Sequence, residues 1–276
     1  MHPIDTGFIF ALRQEAVGIL DRLKRSKTTR GDGWTFYTGK IDTGKINTGK
    51  TDADKTDTGK IDELSIAVVL SGAGQKNAEE AARRLIDVFE PKSVCSAGYA
   101  GGLSARLKQL NICVPEQVIR ESDGEAFDLS HPIPCKTSPM SGKLTLITVN
   151  DVVETPEQKR ALHERTGAEI VDMETFAIAN VCQAHGLPFF SFRVVLDTVD
   201  DQIPQDIAKV LDSMDKGLSR ISGTILGNIW SRPSVVLDFV SFQKRAFSAA
   251  ERLAQFALAE LSRQRAEKPD LLEKAF

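Results

Sequence analysis

Apolar and polar positions follow two rhythms along this chain. Continuous apolar runs of strand length, GFIFAL (7–12), LSIAVVLSG (64–72) and LPFFSFRVVLD (187–197), alternate with segments whose apolar residues recur at helical spacing. The pattern predicts a first strand at 7–12 and an amphipathic helix over RQEAVGILDRLKR (13–25). Strands follow at 33–39 and 64–72, a helix at 75–89, and a strand running into a glycine-rich turn at 91–102. Further strands are read at 111–119 and 143–151. The segment 155–167 is a helix capped by Thr155 ahead of Pro156 and closed by Gly167. AEIVDM is a short strand, ETFAIANVCQAHG a helix ended by Gly186, and 187–197 a long buried strand. Helical material is expected over 205–230, and 248–267 forms a clean amphipathic helix. Such alternation implies an α/β domain with a largely parallel central sheet.

One stretch breaks both rhythms. Residues 38–62 are five tandem pentapeptides (TGKID, TGKIN, TGKTD, ADKTD, TGKID) with lysines at 40, 45, 50, 55 and 60. A period of five fits neither a strand nor a helix. Its five lysines and five aspartates cancel, which disfavours a phosphate- or nucleic-acid-binding comb. It reads as a solvated insertion extending the hairpin between the strands on either side.

Composition narrows the class. The chain has 276 residues, 41% hydrophobic, with a formal net charge of -3. That is enough apolar material for one sizeable core, and there is no basic excess of the kind that marks nucleic-acid or membrane-surface binders. No segment approaches 18 uninterrupted apolar residues, and the N-terminus lacks the basic start of a signal peptide. The four cysteines, 95, 113, 135 and 182, form no CxxC or Cys/His cluster, so no metal site is expected. They read as buried thiols of a reduced, cytoplasmic compartment.

In open α/β sheets, ligands bind beyond the carboxyl ends of the strands. Four predicted strand ends carry chemistry: Glu15 after the first, Ser71 and Gly72 in SGAGQ, Asp172 and Glu174 around Met173, and Asp197 closing 187–197. Each has an ordinary reading as well. Asp197 can cap a turn, Glu174 and Glu15 can be first-turn helix acids, and the glycines can serve backbone geometry alone. Arg106 and Lys108 read as a solvated face, and His131 and His163 as polar loop and helix residues.

Three stretches together, LSGAGQKNAEEAARRL, VCSAGYAGGL and VDMETFAIANVCQAHGLPFFSFRVVLDTVDD, resemble the nucleoside phosphorylase/nucleosidase superfamily. The resemblance runs from about residue 6 to about 226 and is strongest to methylthioadenosine/S-adenosylhomocysteine nucleosidases and hopanoid-associated nucleosidase-like proteins. It implies a single-domain α/β fold, a central mixed sheet flanked by helices, over 1–229. The repeat inserts in a hairpin loop, and 230–276 is a helical extension packing on the same domain. It also implies a purine nucleoside as small-molecule partner, no nucleic acid or membrane, no cofactor, and a homodimer or larger homo-oligomer.

The roles it implies are specific. Asp197 falls where a general acid protonates the purine, and Glu15 where an acid orients or deprotonates water. Glu174 accepts the ribose hydroxyls, Met173 packs on the ribose, and Ser71 and Gly72 line its side. Asp172 is a structural partner. Phosphorylases of the superfamily hold phosphate with an Arg and a Ser where this chain has Ser96 and Tyr99, which implies hydrolysis. Arg13 and Arg193 keep phosphorolysis open, and a non-catalytic nucleoside-binding module is the third reading. Where the resembled nucleosidases place a base-stacking aromatic, this chain offers only Val152 and Val153.

Overall fold

The computed structural model describes residues 3–31, 33–42, 63–129, 144–203 and 233–267, with side chains of the last helix described over 244–263. The strands are β1 (Thr6–Phe10), β2 (Lys24–Gly31), β3 (Trp34–Asp42), β4 (Glu63–Leu70), β5 (Val94–Gly102), β6 (Ile112–Cys113), β7 (Gln117–Arg120), β8 (Ala126–Asp128), β9 (Thr145–Thr148), β10 (Ile170–Asp172) and β11 (Phe189–Asp197). The helices are α1 (Arg13–Leu20), α2 (Gln75–Phe89), α3 (Pro156–Thr166), α4 (Thr175–Ala184) and α5 (Pro233–Glu267).

The strands form one mixed sheet in the order β2-β3-β4-β1-β5-β10-β9-β7-β8, with β11 pairing β5 and β6. β1 lies parallel to both β4 and β5, and β11 runs parallel to β5 along its length. Helices cover both faces, as apolar strands without alternation require. All five residues of β1 and all nine of β11 are buried. Period-two alternation then sorts the core. Ile9, Ala67 and Val69 pack with α2 and α4, while Phe8, Phe10, Ile66 and Val68 pack with α1 and α5. α2 buries Ala78, Ala81, Ala82, Leu85 and Ile86, one face of a 3.6-residue period. Among the described residues no helix is long and apolar enough to cross a membrane.

Several expected boundaries move, each for a local reason. The helix read over 13–25 ends at Leu20. Residues 24–31, KRSKTTRG, instead pair antiparallel with β3 as the sheet's edge strand. That strand has no apolar residue, so only its backbone ladder holds it and no hydrophobic pattern announces it. The strand read over 111–119 splits into β6 and β7 around Pro115, which has no N–H for a ladder. The first pentapeptide, 38–42, is not loop but the end of β3, paired with β4 from Thr38↔Ala67 to Asp42↔Glu63. The flanks therefore form the expected hairpin, while 43–62, the helical reading of 205–230, His131 and Cys135 lie outside the described residues. α5 begins 15 residues before the expected start and lays Ala246, Ala249, Ala250, Leu253, Ala254, Ala257, Leu258 and Leu261 on α1 and the sheet. Gly18 admits this contact: a Cβ there would meet the Ala254 Cβ at 2.6 Å.

Candidate active site

A buried ionic network organises the strand ends. Arg193, in the middle of β11 and 2% exposed, donates through Nε (3.0 Å) and Nη2 (2.7 Å) to Asp172 Oδ2 at the end of β10. Nη2 also reaches Ser96 Oγ in β5 and Thr175 Oγ1 in α4, each at 2.7 Å. Asp172 further accepts Thr148 Oγ1 at 2.7 Å, the Thr175 N–H at 3.0 Å and the Thr175 hydroxyl. A buried charge is tolerated when it is paired and hydrogen-bonded, and here Asp172 is bonded on both oxygens while Arg193 has Nε and Nη2 committed. Asp172 is therefore structural, as expected. Arg193 is committed to it and is not a free phosphate cation.

Two acids and the β4 turn surround this network. A narrow, tightly closed cleft is lined by Ile9, Ala11, Glu15, Ser71, Ser96, Ala97, Gly98, Glu174, Ile178 and Arg193. Glu15 stands in the first turn of α1. Its Oε2 accepts the Leu12 N–H and its Oε1 the Tyr99 N–H of β5, both at 2.8 Å, so it is a helix-start acid that also bridges to the sheet. Burial pushes its carboxyl above the usual range, against the pull of those N–H groups and of Arg193. Gly98 makes this approach possible: a Cβ there would lie 2.7 Å from Glu15 Oε1 and 3.0 Å from Arg193 Nη1.

Glu174 precedes α4 but does not cap it; Asp172 binds the Thr175 N–H instead. Glu174 Oε1 accepts the Gly74 N–H at 2.8 Å, from the turn before α2. Burial, and then the Asp172 charge, push its carboxyl up to about 8. Gly72 holds φ +83°, a left-handed geometry that favours glycine, and donates its N–H to Ala11 O at 3.1 Å. Ser71 Oγ turns to the Gly72 carbonyl at 2.7 Å.

Asp197 lies apart from that cleft. A register shift between Val195 and Asp197 in the β11–β5 ladder re-aims it. Its Oδ2 accepts Nζ of Lys159, a fully buried α3 lysine, at 2.5 Å. The same ammonium donates to Thr198 O (2.8 Å) and Asp201 O (2.7 Å). Burial raises the Asp197 carboxyl, while Lys159 pulls it down. Oδ1 accepts no hydrogen bond among the described residues, and the side chain is 12% exposed. A Cβ on Gly101 would touch both Val171 Cγ1 (3.0 Å) and Asp197 Oδ2 (3.3 Å), so these two side chains are neighbours. Val171, Val153 and Met173 belong to one apolar cluster with Leu162. Glu15, Glu174 and Ser71 thus line one cleft, while Met173 and Val153 pack in the cluster of Val171, the residue that neighbours Asp197 across Gly101.

Lys159, Gly98 and the Thr148/Thr175 pair were not anticipated. Lys159 had one readable signal, its place on the α3 face that buries Leu162. Arg106 is not simply solvated: it ion-pairs with Glu169. His163 closes α3 by bonding Ala168 O through Nδ1 at 2.6 Å, a structural role. Tyr99 Oη donates to Ala246 O of α5 at 2.7 Å.

A mixed sheet covered by helices, with acids at its strand ends, defines an α/β protein with a candidate ligand site at that rim. The Phosphorylase superfamily model matches residues 6–144 and 143–227, and the chain belongs to that family. It is similar to 5'-methylthioadenosine/S-adenosylhomocysteine nucleosidases. That of Buchnera aphidicola subsp. Baizongia pistaciae is 22% identical over 84% of this chain and 93% of its own. That of Oceanobacillus iheyensis is 23% identical over 78% and 95%. Among solved structures, S-adenosylhomocysteine nucleosidase from Streptococcus pyogenes superposes with TM-score 0.67 at 17% identity, covering 95% of this chain and 98% of that one. Futalosine hydrolase of Helicobacter pylori gives 0.66 at 17%, covering 94% and 98%. These confirm the expected fold.

Proposed function

We propose that this protein is a purine nucleosidase, hydrolysing the N-ribosidic bond of an adenine-type nucleoside. Its similarity to proteins named as nucleosidases supports that class. The observation that carries water over phosphate as nucleophile is the commitment of Arg193 to Asp172, Ser96 and Thr175, beside the acid Glu15. A phosphate in that cleft would meet the Glu15 carboxylate and a guanidinium whose Nε and Nη2 are already bonded, with no bidentate face to offer.

In this reading Asp197 gives its proton to a ring nitrogen of the base as the C–N bond electrons leave with it. The sugar gains oxocarbenium character. Glu15 orients the attacking water and takes its proton, and Glu174 accepts bonds from the ribose hydroxyls and steadies the positive sugar. Met173 packs on the ribose, Ser71 and Gly72 line it, and Val153 lies under the base. Residues 1–229 form one domain, with 230–276 packed on it, a reading supported by the contacts of α5 with α1. A homo-oligomer in a reduced cytoplasm, where the buried free thiols of Cys95, Cys113 and Cys182 persist, completes the proposal.

The test is base release from a panel of purine nucleosides with and without phosphate. Hydrolysis predicts release at equal rate in both, with free sugar as product. Phosphate-dependent release would make the protein a phosphorylase, and binding without turnover a nucleoside-binding module.

A further inference from the structure

The fold commits a fully buried lysine to the carboxylate that the proposed chemistry needs as an acid. We infer that Lys159 is a positioning residue: it sets the proton affinity of Asp197 and holds the carboxylate left once the base has taken its proton. This rests on the nucleosidase reading above.

The geometry divides the carboxyl group into two halves. Oδ2 is fixed on Lys159 Nζ at 2.5 Å, while Oδ1 accepts no hydrogen bond among the described residues, so the transferable proton belongs on Oδ1. All three N–H donors of Lys159 are used, on Asp197, Thr198 O and Asp201 O. The ammonium therefore cannot swing away when Asp197 changes charge. In the step itself the Oδ1–H bond breaks and a bond from hydrogen to the ring nitrogen forms. The electron pair left on Asp197 makes a carboxylate already facing a cation. The cation favours this ionised product and makes protonated Asp197 the stronger acid.

Among the described residues three charged groups face Asp197, and each comes from a different element. Lys159 approaches from α3, Arg245 from α5 and Asp201 from the loop after β11. The two cations favour the ionised form and Asp201 opposes it. Asp201 is itself held by the Thr198 N–H at 2.7 Å and by Gln109 Nε2 at 3.0 Å. Lys159 is the one of the three that touches Asp197 through a hydrogen bond.

The experiment is the pH profile of kcat for the unsubstituted protein and for Lys159→Met, which keeps length and removes charge. With the cation gone, Asp197 holds its proton more tightly. The alkaline limb should move up by about 1–3 pH units, and plateau kcat should fall about tenfold because the acid is weaker, with KM changed only a few-fold. An alkaline limb that stays in place, or moves down, overturns the inference even if activity drops. If Lys159→Met does not fold, Lys159→Gln, which removes the charge and keeps an NH₂ donor toward Asp197, carries the same test with the same two outcomes. If the unsubstituted protein releases base from no nucleoside, the nucleosidase reading falls and this inference with it. If it releases base but the limb does not move, this inference alone falls.

Discussion

Asp172 and Asp197 each end a strand of the same sheet, and each rests on one buried cation. Asp172 has both oxygens filled, by Arg193, Thr148 and Thr175, and its side chain is 1% exposed. Asp197 gives one oxygen to Lys159, and the other accepts no hydrogen bond among the described residues, with its side chain 12% exposed. Asp172 is bonded on both oxygens and does not line the cleft, so it belongs to the fold. A half-saturated carboxylate, held in place and still reachable, can accept or donate a proton. Charge and burial are nearly alike in the two, so the open acceptor is what separates them.

The largest effect that would break this contrast is on turnover. Asp197→Asn should lower kcat about 10²–10⁴-fold, the range of a lost general acid. The asparagine can keep its carbonyl on Lys159 and turn its NH₂ into the open position, so the variant should still fold. Near-normal base release from folded Asp197→Asn would remove the acid from the mechanism.

Asp172→Asn should do the reverse. An Asn NH₂ can give its hydrogen to the Thr148 hydroxyl on the Oδ1 side, but Arg193 loses its ionised partner whichever way the amide turns. Breaking such a buried pair costs about 3–5 kcal/mol. Denaturant unfolding should show that loss, and a variant as stable as the parent would mean that the network is not structural. Gly98→Ala should be milder, about 1–3 kcal/mol, the usual cost of forcing a methyl into packed space. Its Cβ would displace Glu15 from the Tyr99 N–H. Turnover should therefore fall together with stability, and stability falling alone would place Glu15 outside the chemistry.

How much of this was legible differs by region for physical reasons. β1, α2 and β11 are written in their hydrophobic periods because burial on a defined face selects those residues. β2 is not written there, because an edge strand without apolar residues is held by its backbone alone. The positions of Glu15, Glu174 and Asp197 at strand ends were readable, since strand ends position ligand-binding groups and the motif spacing resembled a known family. Arg193 was read only as a cation that could hold phosphate, because only the sheet order brings β10, β5 and β11 side by side and so pairs it with Asp172. Lys159 is 38 residues from Asp197 in sequence, and no periodicity could connect them.

The smallest effect concerns Glu174, which has no cation of its own because Arg193 is committed to Asp172. Its carboxyl is pushed from an ordinary 4.5 to about 8. Below about pH 4.5 the group is protonated both folded and unfolded, and it adds no pH dependence. Between about 4.5 and 8 the unfolded chain gives up this proton while the folded protein keeps it, so stability falls as pH rises. Above about 8 both states are ionised and the loss is constant. Glu15 is raised as well and contributes with the same sign. Glu174→Gln removes the titration without removing the hydrogen-bond acceptor for the Gly74 N–H. Melting temperatures across pH 5–8 should therefore decline less steeply in the variant than in the parent. Parallel curves would mean that Glu174 is already ionised in the folded protein, and the contrast between carboxylates with and without a committed cation would not hold in this cleft.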